Sequence, residues 1–106
     1  MSTKVYNKLV RDNIPEIIAE TGKSCVTSTL SDNDYFSALN LKMSEELAEY
    51  QASHEVEELA DLMEVIIAAA EALGSSYDEL EAIRLRKKNK RGGFEKHIYL
   101  ESVSDC

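Results

Sequence analysis

Glycine and proline are scarce in this chain, four and one among 106 residues, and tryptophan is missing. A turn-rich all-β fold needs more of the first two, and a disordered chain carries less than the 43% apolar content found here, so both classes are set aside. Cysteine is scarce too, with two residues. Cys25 and Cys106 have no CxxC spacing and no histidine cluster nearby, which predicts reduced thiols rather than a disulfide framework. Long apolar runs are absent too: Val65 to Ala70 is the longest and is far too short to span a bilayer. The opening Met1 to Tyr6 has no apolar signal-peptide core, so the expectation is a cytoplasmic protein with no membrane partner.

Positive charge is absent where it would be most noticed. The 41 residues between Lys42 and Arg84 hold 12 acids and no Lys or Arg, which leaves 8 of the 20 acids against all 12 bases in the rest of the chain. The net charge of −8 is therefore concentrated in an acidic middle flanked by mildly basic ends. Such a middle repels nucleic-acid backbones and attracts cations, so no nucleic-acid partner is expected.

What is present reads as helix. Asp12-Asn13-Ile14-Pro15 offers an N-cap and a first-turn proline, and Ile14, Ile17 and Ile18 form a stripe before Gly22 stops the helix. Ser31-Asp32-Asn33-Asp34 resembles a capping box and opens a helix to about Ala52, striped by Leu39, Met43, Leu47 and Tyr50. A third helix is predicted from about His54 to Leu73, ending at Gly74. Ser76-Tyr77-Asp78-Glu79 opens a fourth, which turns basic toward Arg91 and stops at Gly92-Gly93. The β-branched stretch Cys25 to Leu30 and the stretch His97 to Leu100 are expected to be extended and could pair as a small two-stranded β element. With no repeat and no linker, the whole of 1–106 is read as one domain.

The third helix carries two apolar stripes, Val56, Leu59, Met63, Ile66 and Ala70, then Leu62, Val65 and Ala69. A helix apolar nearly all round belongs at a centre, and a chain this short can cover it only with helices of a second copy. The expected architecture is an all-α antiparallel bundle completed by dimerisation.

Four carboxylates carry the chemistry. Glu46 and Glu49 are three apart on the second helix and Glu58 and Asp61 three apart on the third, so each pair shares a helix face. The short connection makes the two helices antiparallel neighbours, and Glu58 and Asp61 share their face with Leu62 and Val65. Crowded carboxylates at such a seam must take up protons or be neutralised, and hard oxygen ligands suit Mg²⁺ or Mn²⁺. Metal held this way can activate water and stabilise charge on a phosphoryl group. Cations for the phosphates are offered by Lys42, by Lys8 and Arg11, and by Lys87, Lys88 and Arg91.

Blander readings exist for each of these. An ExxE pair alone is what a solvated helix face produces. Lys87 to Arg91 also suit simple dipole compensation. Glu45 can pair with Lys42, Glu55 and Glu57 suit a solvated first turn, His54 suits an exposed turn, and Tyr50 suits the core.

Glu45-Glu46-Leu47-Ala48-Glu49 followed by Glu58-Leu59-Ala60-Asp61 resembles the EExxE…ExxD signature of the all-α nucleoside triphosphate pyrophosphohydrolase superfamily, which includes MazG, dimeric dUTPases and phosphoribosyl-ATP pyrophosphohydrolase. Tyr6 to Asp12 with Ile14-Pro15, and Arg91 to Phe94, are similar to a compact MazG-like subgroup labelled phosphoribosyl-ATP pyrophosphohydrolase-like. The resemblance implies Mg²⁺-dependent hydrolysis of a nucleotide between its α and β phosphates, giving a nucleoside monophosphate and pyrophosphate. It implies that Glu46, Glu49, Glu58 and Asp61 hold the metal, that Glu45 orients water or supports the ligands, and that Lys88, Asn89 and Arg91 contact phosphate or base. It also implies a homodimer or homotetramer.

The connection between the two motifs is shorter than in much of that superfamily, which leaves the base pocket to the N-terminal segment or a partner subunit. Tyr6, Tyr35, Phe36, Tyr50, Tyr77, Phe94 and Tyr99 are the aromatic candidates for stacking, and the sequence does not choose among them. The reading is nucleotide house-cleaning. Its rivals are phosphoribosyl-ATP hydrolysis in histidine synthesis and a non-catalytic helical oligomerisation or regulatory module with a vestigial acidic site, with a metal-storage or sensing protein behind them.

Overall fold

Two serines set the boundaries of the long helices. Ser31 Oγ accepts from the Asp34 amide at 3.2 Å, and Ser76 Oγ accepts from the Glu79 amide at 3.1 Å while its hydroxyl donates to Glu79 Oε1 at 3.2 Å. Each serine thereby satisfies a first-turn N–H that has no partner within the helix. In the computed structural model, which describes residues 2–105, four helices follow in order: α1 (Ile14–Glu20), α2 (Asp32–Ser53), α3 (Val56–Ala72) and α4 (Tyr77–Arg91). The chain is all-helical, as the capping and periodicity patterns require, with shifts of one or two residues at the ends. Asn13 rather than Asp12 occupies the N-cap of α1, and Gly22, Gly74 and Gly92, all at positive φ, follow the ends of α1, α3 and α4.

One expectation is corrected. Among the described residues there is no strand, and the stretches Cys25 to Leu30 and His97 to Leu100 are exposed, unpaired chain. β-branched residues favour a strand only where a neighbouring edge and a face to bury exist, and Val26 and Ile98 find neither. Cys25 is a free, exposed thiol, while Cys106 lies outside the described residues.

The centre of the molecule is the α2/α3 hairpin. His54 and Glu55 alone separate the two helices, and His54 makes the reversal by adopting φ 56°, with its amide bonded to the Tyr50 carbonyl at 2.7 Å. His54 is thus the exposed turn residue expected, and its ring meets the half-buried Tyr50 edge-on at 5.9 Å. The hairpin buries Leu39 of α2 and Val65 and Ala70 of α3, and α4 packs against α3 more sparsely.

A chain of this size packed into a sphere has a radius of gyration of about 13 Å. Here it is 18.8 Å, and the molecule measures 70 × 31 × 23 Å. In the second stripe of α3 Val65 is buried and Leu62 and Ala69 half-buried; in the first only Ala70 is buried, and Leu59, Met63 and Ile66 are all exposed. No helix among the described residues is long and apolar enough to cross a membrane.

Candidate metal centre

The hairpin places the two acidic pairs opposite one another. Glu46 of α2 and Glu58 and Asp61 of α3 each offer a carboxylate oxygen, and these three oxygens lie within 4.8 Å of one another. Glu46 is 6% exposed; Glu58 and Asp61 are half-buried. Glu49 is exposed and stands outside this group, close enough to Glu58 for its charge to be felt there.

The electrostatics are those of a partly compensated site. The Glu58 carboxyl is pushed above its ordinary value by loss of water and then by the negative charges of Glu49, Asp61 and Glu46. Glu46 Oε1 takes an ion pair from Lys42 Nζ at 3.2 Å, but Glu46 Oε2 is buried without any hydrogen-bond partner. An orphaned buried carboxylate oxygen is costly, and a cation shared with Glu58 and Asp61 would relieve it. The donor set is all oxygen, which fits Mg²⁺ or Mn²⁺ rather than a soft metal.

Cations of the chain already crowd the rim. Arg11 Nη2 lies 2.8 Å from Asp61 Oδ1, and Lys8 Nζ lies 3.3 Å from Glu45 Oε1. Lys42 also reaches Glu45, at 3.5 Å, as the i, i+3 spacing allows. Burial alone would raise the Glu45 carboxyl, but the charge of Lys42 and the bond and charge of Lys8 outweigh it and hold Glu45 below the ordinary glutamate value. Burial would likewise lower Lys42, yet the bond to Glu46 and the charges of Glu45 and Glu46 raise it. A lowered carboxyl is a weaker base, and the two ion pairs tie Glu45 to Lys8 and Lys42.

The sequence placed Lys8 and Arg11 among the phosphate cations but gave no sign of their acidic partners. Their spacing of three was the available signal, and only folding brings residues 37 and 50 positions away against them. Beside them, Tyr6, Asn7 and Leu9 of the N-terminal segment form a cleft of about 410 Å³ with Ala38 and Leu41 of α2. Lys8, Lys42 and Glu45 complete its wall, so the cleft adjoins the carboxylates at Lys42.

The basic end of α4 is a separate place. Lys88 and Arg91, with Arg84, Lys87 and Phe94, line a second cleft of about 730 Å³ that shares no residue with the carboxylate group. Asn89 is exposed and does not line it. Within one chain, the fold therefore gathers Lys8, Arg11 and Lys42 at the acidic centre and leaves Lys88, Asn89 and Arg91 apart from it.

No protein-family model matches the chain, and no solved structure matches it. An uncharacterized protein of Mycolicibacterium smegmatis is 50% identical over 46 residues, a stretch that covers 43% of this chain. That stretch spans 47% of the relative's own length.

Proposed function

We propose that this protein is a Mg²⁺-dependent nucleotide pyrophosphohydrolase that hydrolyses nucleoside triphosphates between the α and β phosphates. The observation that carries the reading is the meeting of Glu46, Glu58 and Asp61 oxygens within 4.8 Å across the α2/α3 seam, with Glu46 Oε2 buried and unpartnered. It gives physical content to the resemblance of the EExxE…ExxD spacing to the all-α pyrophosphohydrolases. Glu46, Glu58 and Asp61 would hold Mg²⁺, with the exposed Glu49 as the further candidate that the sequence motif names. When bound, the metal supplies charge neutralisation on the phosphates and a lowered pKa for an attacking water.

The chain's own residues have distinct tasks. Lys8, Arg11 and Lys42 are the cations within reach of the centre, and their present carboxylate partners hold them in place until a polyphosphate competes for them. Arg11 must leave Asp61 Oδ1 for that oxygen to serve a metal, which frees a guanidinium beside the arriving phosphate. Glu45 keeps Lys8 and Lys42 oriented.

The uncovered apolar stripe of α3 supports a second, compatible component: assembly into a homodimer or homotetramer through Leu59, Met63 and Ile66. The same stripe is what a purely structural oligomerisation module would present. Pyrophosphate release from a panel of canonical and modified nucleoside triphosphates with Mg²⁺, run beside Glu58→Gln, separates the two. The enzyme is expected to lose about 10²-fold or more in turnover on Glu58→Gln while keeping its fold, the loss seen when a ligand or charged catalytic group is removed. Silence of the wild-type protein across the panel overturns the nucleoside triphosphate reading and leaves phosphoribosyl-ATP hydrolysis or the structural role.

A further inference from the structure

The site described so far can grip a triphosphate but has nothing to recognise what the triphosphate is attached to. The cleft adjoining it has the parts for that. Its lining includes the aliphatic residues Leu9, Ala38 and Leu41 and the aromatic Tyr6. The Lys8 ammonium stands 5.7 Å from the Tyr6 ring centroid and the Lys4 ammonium 4.9 Å from it. Two cations on one ring mark an accessible, electron-rich surface. The next residue, Asn7, is held in the left-handed region at φ 46°, which asparagine reaches more cheaply than other side-chain-bearing residues. Asn7 lines the same cleft, and its side-chain amide has both donors and an acceptor to offer.

We infer that the cleft between the Tyr6–Leu9 segment and α2 is a nucleobase site, in which Tyr6 stacks on the base and Asn7 reads its edge. The inference rests on the hydrolase reading for its ligand class and extends it to the part of the substrate that the carboxylates do not touch. Three features carry it together. The volume, about 410 Å³, falls in the range of small-molecule pockets, and apolar residues with a few polar groups among them are their usual lining. A flat aromatic beside an amide is chemistry suited to a planar heteroaromatic ring, since stacking tolerates any base and an amide selects by hydrogen bonding. Finally, Lys42 belongs to both places. It lines the cleft and stands 3.2 Å from Glu46, so a base at Tyr6 would be joined to a polyphosphate at the carboxylates past the ammonium groups of Lys8 and Lys42. Lys4, on exposed chain, yields the ring when the base arrives.

Of the seven aromatic residues open to this role, Tyr6 lines the cleft that adjoins the acidic centre. Phe94 lines the cleft at the end of α4 instead.

The test is equilibrium binding to the full chain with Mg²⁺, using non-hydrolysable α,β-imido deoxynucleoside triphosphates of the four bases and, as a base-free reference, inorganic tripolyphosphate. Wild type, Tyr6→Leu, Tyr6→Phe and Asn7→Ala are compared. Removing a stacking ring should weaken binding of the imido nucleotides about tenfold, with Tyr6→Phe close to wild type and tripolyphosphate unaffected by either change. Asn7→Ala should flatten whatever preference the wild type shows among the four bases. Unchanged imido-nucleotide affinity in Tyr6→Leu overturns the assignment, as does an equal loss for tripolyphosphate or failure of the wild type to bind any of the four. Turnover of ordinary triphosphates is read separately: imido-nucleotide binding that depends on Tyr6, in a protein that releases no pyrophosphate, would sustain the base site while removing the hydrolase reading.

Discussion

Loss of water raises the Glu58 carboxyl, and the negative charges of Glu49, Asp61 and Glu46 raise it further. A raised folded-state value means that, as pH climbs past the ordinary glutamate range, the unfolded chain gives up its proton before the folded one does. Stability contributed by the protonated form is complete below that range and declines as pH rises through the raised value. In EDTA, Glu58→Gln is therefore expected to melt above wild type at neutral pH and to converge with it near the acidic end of the titration. A wild-type protein that melts as high as the variant at neutral pH would show that the four acids do not repel one another. Adding Mg²⁺ should reverse the order, since metal bound at 100 times its Kd stabilises by about 2.7 kcal/mol and the variant has lost a ligand. Thermal melts with and without Mg²⁺ read both effects.

The helices are held by local devices as much as by packing. α2 and α4 both begin at a serine whose hydroxyl takes a first-turn amide, whereas α3 begins at Glu55 with no side-chain cap. Ser31→Ala is expected to cost about 1 kcal/mol, read as a lower urea midpoint at constant slope. Because α2 carries Glu46, the same change should loosen the acidic cluster only in proportion to global unfolding, leaving whatever Mg²⁺ affinity the folded wild type shows intact. The turn at His54 is the opposite case, a non-glycine residue in the left-handed region at φ 56°. His54→Gly removes a strain of roughly 1 kcal/mol and should raise the melting temperature, provided the edge contact with Tyr50 contributes less than that.

At the scale of the molecule, the dominant fact is how little is buried: Leu39, Val65 and Ala70 are the only buried apolar residues among those described. A single chain with so small a core and a 70 Å long axis has little to set against the entropy of ordering it. An assembly that covers Leu59, Met63 and Ile66 would supply the missing burial, and the melting temperature should then rise with protein concentration. Met63→Glu, which puts a charge in the middle of the uncovered stripe, is expected to shift sedimentation from an oligomer to the monomer and to lower stability. A wild-type protein that sediments as a monomer would remove the assembly from the proposal.

Much of this was legible in the residues themselves. The serine caps, the glycines after α1, α3 and α4 and the 3.6-residue stripes determined the all-helical class and nearly every boundary, because caps and periodicity act over four or five positions and need no distant partner. The ExxE and ExxD spacings and the short stretch between the pairs likewise pointed to carboxylates meeting across two antiparallel helices, and Glu46, Glu58 and Asp61 do meet there while Glu49 stands outside. Other features are long-range and belong to the tertiary structure alone. Whether Cys25 to Leu30 forms a strand depends on an edge that the fold does not provide. That Glu46 is the buried member of the acidic group, with one oxygen unpartnered, follows from how α3 lies against α2. That Arg11 meets Asp61, and that Tyr6 rather than another aromatic lies beside Lys42, follows from where an irregular segment comes to rest on two helices, and no local propensity encodes that.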